Sequence, residues 1–463
     1  MARDSRWVFT LVVVGAGLAV AGITAHAAQP KPRDDGHITG SLVDLLDQDG
    51  WEQPQVEMGM PAEASEPKWP APEKAGDAEG QDRIGVGQQP PKPDPHAAAQ
   101  LDALIQQRHA LVDACKFFQL INQNLKAQQQ VAVANAQLLQ ANVAIGKANT
   151  DINIARVQNN EALESRARGN LDAAQRAAQA AGNALQVAIN NNRGLWGELQ
   201  PNIIKFLGLY QKMKTFVVQD RGSPQLAAAR GVFDRACAGR ADFHEGRVLA
   251  ALCEIYVGQR QAAQEHLAKG LFFGQELFFA WPPASEMCLA YLLLGQPAAV
   301  DPWVKWVKGL DEARKTPTRC FLVALHGVVD CRDNQAAEWF ERCGRRLTAT
   351  AKKQNRPDVR PAEMAGAWAH FLLTCPNTKL RDVQKAKGLV NGLQPQASWY
   401  VARAAGAVHA AQGSWQGAVR EVALAVEHGP VVLGEELSGE LEKYKNSELW
   451  TRPRPVKPKP VKN

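Results

Sequence analysis

The stretch SWYVARAAGAVHAAQGSWQGAVREVALAVEHGP occupies residues 398–430. Ala, Val and other small residues dominate it from Trp399 to Ala411, and Gly413 interrupts the run. After Trp415, Ala418, Val422 and Ala425 recur at helical spacing until Pro430. A small-residue run, a glycine and a second periodic run closed by proline predict two antiparallel helices joined by a tight turn. Small side chains at the crossing let the helices approach closely, and larger apolar residues fill the gap between layers.

That pattern resembles the tetratricopeptide unit. With Gly413 as the turn, Gly406 takes the small position of the first helix, and Trp415, Ala418, Val422, Ala425 and Pro430 take the aromatic, small and closing positions. His409 stands where that helix usually carries an aromatic. Just upstream, Leu372-Leu373-Thr374-Cys375-Pro376-Asn377 with Arg381-Asp382 and Ala386 resembles the line that opens a C-terminal tetratricopeptide tract common in planctomycete proteins. Leu441-Glu442-Lys443-Tyr444-Lys445 resembles its closing helix. The resemblance covers roughly the last hundred residues. It implies a fold and partner binding, and no reaction.

The same frame recurs earlier. Ala251, Gly258, Ala263 and Leu267 keep its spacing, as do Tyr291, Gly295, Val300 and Val304, with turn glycines 37 residues apart. A third pair is expected over Arg319–Leu347, turning at Cys331-Arg332-Asp333-Asn334. A helical repeat domain over 201–450 follows, its first helix starting near Pro201 and its concave face lined by first-helix residues.

Between Ala97 and Arg193 there is no proline, and Ala, Gln and Asn dominate. Apolar residues mostly at steps of three, four or seven (Leu101, Leu104, Leu111, Cys115, Phe118, Leu125, Val131, Leu138, Ile145, Ile152) predict a coiled coil over 97–195. A turn near Gly169-Asn170 or at Asn190-Asn191-Asn192 would fold it into a hairpin. An arm of roughly 65 residues would reach about 100 Å. The overall expectation is all-α: a long coiled-coil hairpin, then a tetratricopeptide-like solenoid.

The N-terminus predicts export. Arg3 and Arg6 precede an apolar run from Trp7 to Ile23, and Ala25-His26-Ala27 offers a cleavage site. Residues 1–27 are therefore read as a signal peptide or a membrane anchor, placing the chain in the periplasm or cell envelope. Residues 28–96 read as a Pro-rich linker, and Gln29–Gln100 carries fourteen acidic and six basic residues against a chain total of +6. One apolar island, Ser41-Leu42-Val43-Asp44-Leu45-Leu46 followed by Trp51, reads either as a short helix docking on a partner or on the protein's own body, or as a fluctuating patch. The tail, residues 451–463, alternates Pro with Arg or Lys and is expected to be extended.

None of the eight cysteines forms a C-x-x-C pair, so no zinc or redox motif is supported. They read as buried thiols, and Cys320 with Cys343 is the pairing to test if one bridge exists. No phosphate loop, H-E-x-x-H or G-x-S-x-G occurs. His244-Glu245 reads as a helix start, His326 and His370 as core residues, and Glu435-Glu436 as carboxylates beside a solvated turn. No cofactor, metal or nucleic acid is expected. The sequence therefore points to an exported, non-enzymatic scaffold or adaptor. It would bind a protein partner through Arg247, Glu254, Glu286, Arg403 and His409, with self-association through the coiled coil. A structural envelope tether is the alternative, and a hydrolase on a helical scaffold the weaker one.

Overall fold

The computed structural model describes residues 91–218, 220–270, 283–312, 314–353 and 361–453; the described residues are helical, without a strand. The expected signal or anchor, the linker up to residue 90 and the tail beyond residue 453 lie outside the described residues. Among the described helices none is long and apolar enough to cross a membrane. The chain divides into two compact units, residues 111–205 and residues 91–110 with 206–453, and the boundaries fall within α1 (Pro95–Ala114) and α3 (Glu161–Lys214).

The first unit holds α2 (Phe117–Val157) and most of α3. Buried alanines recur every seventh residue, at Ala127, Ala134, Ala141, Ala148 and Ala155 on α2 and at Ala167, Ala174, Ala181 and Ala188 on α3. The turn lies at residues 158–160, where Asn159 adopts φ 51° and the Asn160 side chain accepts from the Leu163 N–H at 3.0 Å. Both expected turn sites are thereby corrected: Gly169 and Asn190–Asn192 lie inside α3. A helical glycine costs only about 1 kcal/mol, too little to break a helix whose buried face continues on both sides. Pro201 also lies inside α3, between the fully buried Leu199 and Ile203. Burial on both sides offsets the lost backbone bond, so the helix expected to start near Pro201 begins at Glu161 instead.

The second unit is a succession of helix pairs. After α4 (Pro224–Gly239) come α5 (His244–Val257) with α6 (Arg260–Lys269), and α7 (Pro283–Leu293) with α8 (Asp301–Gly309). Then follow α9 (Pro317–Val329) with α10 (Asp333–Lys353), α11 (Ala362–Thr374) with α12 (Val383–Val390), α13 (Trp399–Ala411) with α14 (Trp415–His428), and α15 (Gly434–Lys445). Gly258, Gly295 and Gly413 lie between paired helices at φ of 88°, 73° and 75°, the left-handed conformation that glycine adopts without strain. Cys331 makes the α9–α10 turn at φ 54° without glycine.

Close approach explains the small residues. A Cβ on Gly406 would lie 2.4 Å from Val422 Cγ2 on α14, and one on Gly366 would lie 2.6 Å from the Tyr400 carbonyl carbon on α13. The Leu372–Ala386 line also has local causes. Asp382 caps α12 by accepting from the Lys385 N–H at 2.8 Å, Arg381 Nε donates to the Cys375 carbonyl at 2.7 Å, and Ala386 is fully buried. Between layers, Phe340 of α10 stacks on Trp368 of α11, with centroids 6.0 Å apart and planes 4° off parallel.

All eight cysteines are free, which corrects the proposed bridge. Cys320 Sγ contacts the Lys315 carbonyl at 3.6 Å, and Cys343 Sγ the Pro317 carbonyl at 3.4 Å. Burial pushes the Cys320 thiol up to about 11 and Cys237 to about 12, so both stay protonated and pack as small hydrophobes.

Candidate functional site

The helix pairs of the second unit close on themselves. Trp399 Nε1 of α13 donates to the Tyr256 hydroxyl of α5 at 3.1 Å, and Arg260 Nη2 donates to the Val432 carbonyl at 2.6 Å. The expected open concave face is therefore a cavity of about 490 Å³. Its wall comes from the first helix of successive pairs: Leu289, Leu292 and Leu293 on α7, Leu325, Val328 and Val329 on α9, Phe371 on α11, and Trp399 and Tyr400 on α13. Among the other lining residues are Arg260, His370, Arg403, Glu435, Glu436 and Arg452. That volume and an apolar wall with a few polar groups suit a binding site, since such sites measure roughly 300–1,000 Å³.

One ion-pair network braces the wall. Arg403 of α13 donates from Nε to Glu440 Oε2 at 2.7 Å and from Nη2 to Glu436 Oε1 at 2.6 Å. His370 Nε2 lies 3.1 Å from Glu440 Oε1, and the Tyr444 hydroxyl donates to that same oxygen at 2.9 Å. Burial works to raise the Glu440 carboxyl, but the Arg403 charge, then the His370 charge and the hydrogen bonds from both, outweigh it and hold it at about 2. Burial and then the Arg403 charge depress the His370 imidazole, so it is neutral near pH 7 and donates to the carboxylate. A buried charge with this many partners is a fixed strut rather than a free recognition group. Glu436, read as a carboxylate beside a solvated turn, is half-buried and is also held by Arg403.

Of the five residues expected to meet a partner, Arg403 alone lines this cavity, and it is already paired. Glu254 is buried and accepts from Arg230 Nε at 2.9 Å. Glu286 pairs with Lys214 beside a separate pocket of about 230 Å³. Arg247 ties α5 to α4 by donating to the Cys237 carbonyl at 3.0 Å, and His409 packs against α14, where a Cβ on Gly417 would meet its ring at 2.9 Å. These side chains hold helices together, so the proposed charged recognition face is not a single surface. The leucines and valines that do line the cavity look in sequence like ordinary core residues. The one usable signal is their place on the first helix of consecutive pairs.

Two smaller expectations change as well. Glu245 does more than begin a helix: it accepts from Arg108 Nε at 2.5 Å, and both side chains are inaccessible to solvent. His326 is fully buried as expected, yet its Nε2, 3.1 Å from Asp301 Oδ1, makes no hydrogen bond of good geometry. Among the described residues no group of three or more His, Cys, Asp or Glu side chains is placed to hold a metal ion.

No family model matches the chain, and no curated protein or solved structure matches it either.

Proposed function

We propose that the protein is an exported adaptor. Its helix pairs form a tetratricopeptide-like array whose inner cavity takes an apolar segment of another protein, and its hairpin is a coiled coil that provides reach or joins two copies. The cavity carries this reading. Its leucines and valines form an apolar surface that an apolar segment would take out of water. Here the opening is lined by the first helices of consecutive pairs, the surface on which stacked repeats present ligand-binding residues. Turn glycines at Gly258, Gly295 and Gly413 and the close crossings at Gly366 and Gly406 support the tetratricopeptide-like reading. The seven-residue alanine spacing on α2 and α3 supports the coiled coil. Export rests on the basic and apolar N-terminus with its Ala-His-Ala site.

The test is capture of one stoichiometric partner from envelope extracts by the tagged full chain. Leu293→Glu, which places a charge in the cavity wall, is expected to abolish capture with the helical circular dichroism intact. Arg420→Glu, at an exposed position on α14, is expected to leave capture unchanged. Equal capture by both variants would refute the cavity as the binding site.

A further inference from the structure

We propose that the apolar island at residues 41–51 docks in this cavity as a tethered ligand of the chain's own, holding the site until a partner displaces it. The inference rests on the cavity being a segment-binding site.

Three observations converge on this occupant. The first is chemical fit. Ser41-Leu42-Val43-Asp44-Leu45-Leu46-Asp47 places Leu42, Leu45 and Leu46 at i, i+3 and i+4, on one side of a helical turn and a half. Ser41 with Asp44 three residues later is a capping-box pattern that would start that helix. A row of branched apolar side chains suits a wall of Leu289, Leu293, Leu325 and Val329, in the manner of a helix laid into a groove.

The second is charge. The segment carries Asp44, Asp47 and Asp49. At the cavity, Arg403 is neutralised by Glu436 and Glu440, and Arg452 pairs with Asp333. Arg260 donates to the Leu294 and Val432 carbonyls and pairs with no carboxylate among the described residues. Its charge is therefore available to the aspartates. Glu435 is an exposed acid of the same lining, and the N-terminal end of the helix, the positive end of its dipole, is the part suited to face it.

The third is reach. Thirty-nine residues separate Trp51 from Pro91, where the described chain begins. A flexible chain of that length spans roughly 35 Å on average. The radius of gyration of a globule the size of the second unit is roughly 18 Å. The linker thus reaches any opening on the unit, and tethering raises the local concentration of the segment to the millimolar range. The basic Pro-rich tail, which leaves from the cavity lining at Pro453, has reach but lacks a leucine row.

The test uses the full chain and a fluorescein-labelled peptide of residues 40–52. A chain carrying Leu42→Ser, Leu45→Ser and Leu46→Ser has lost its own ligand and is expected to bind the peptide saturably. The unsubstituted chain is expected to bind it at least tenfold more weakly, because the tethered copy competes. Adding Leu293→Glu to the triple variant should abolish binding, and Val329→Glu serves the same purpose if the first variant fails to fold. Hydrogen exchange should protect residues 42–46 in the unsubstituted chain at every protein concentration. Equal peptide binding by the first two chains, binding that survives the cavity charge, protection that appears only at high concentration, or protection at residues 454–463 would each overturn the proposal. If the peptide fails to bind while Leu293→Glu still blocks capture of a separate partner, self-docking is wrong and the adaptor reading stands.

Discussion

Asn124 on α2 donates from Nδ2 to Oδ1 of Asn192 on α3 at 3.2 Å, a bond that spans 68 residues of sequence. Asn124 is fully buried, three residues before Ala127, the first alanine of the buried series. A polar pair in an otherwise apolar seam has partners in only one alignment, so it selects register at some cost in stability. Asn192→Leu alone orphans the Nδ2 of the fully buried Asn124 and should cost about 1–2 kcal/mol in denaturant unfolding. Adding Asn124→Leu should recover that loss. A single variant as stable as the original chain would contradict this role.

The glycines make opposite predictions according to what surrounds them. Gly366→Ala forces a Cβ against the Tyr400 backbone at 2.6 Å and should destabilise the second unit by about 2 kcal/mol. Gly182→Ala in α3 meets nothing within 4 Å and should stabilise by about 0.5–1 kcal/mol. Thermal melts of the two variants shifting the same way would refute the crossing argument.

Much of the second unit was legible in the sequence because its helix pairs are punctuated locally. A turn glycine, a small residue at the crossing and a capping Asp or Ser each act within one pair, and the spacing around Gly258, Gly295 and Gly413 records them. The hairpin turn was not legible. Asn159 and Asn160 break the helix through backbone conformation and a side-chain cap, whereas the Gly and Asn residues favoured as turn sites lie on a helix kept whole by its buried alanines. The cavity was hidden for another reason. Whether an array stays open or closes depends on contacts such as Trp399 with Tyr256, 143 residues apart, and no local pattern encodes them. For the same reason Arg403 read as a recognition residue, since its partners Glu436 and Glu440 lie on another helix.

Truncating Arg403 should be a stability effect. Arg403→Leu would leave Glu440, which is inaccessible to solvent, without its cation, and should cost about 3–5 kcal/mol. Reversing its charge would therefore report on folding rather than on partner capture. Urea unfolding of Arg403→Leu within 1 kcal/mol of the original chain would refute the strut.

Acid should destabilise the second unit in two stages. The folded His370 has its pKa depressed below the ordinary 6.5, so its contribution is complete above pH 6.5 and is lost as pH falls through the lower folded value. Glu440 is held at about 2 against an ordinary 4.5, so its contribution is complete above pH 4.5 and is lost as pH falls toward 2. Melting temperatures measured from pH 8 to 3 should be level down to about 6.5 and then fall. His370→Gln, which can still donate to Glu440, should shrink the first stage, which the similarly depressed His244 and His326 share, and keep the second. A slope unchanged by that substitution would contradict the assignment.

The most direct test of the cavity as the binding site is a photo-crosslinking residue in place of Leu293 in the full chain, with a matched one in place of Arg420. The account predicts that light links an apolar peptide segment, identified by mass spectrometry, to the Leu293 position and none to the Arg420 position. Linkage at Arg420 with none at Leu293 would contradict it.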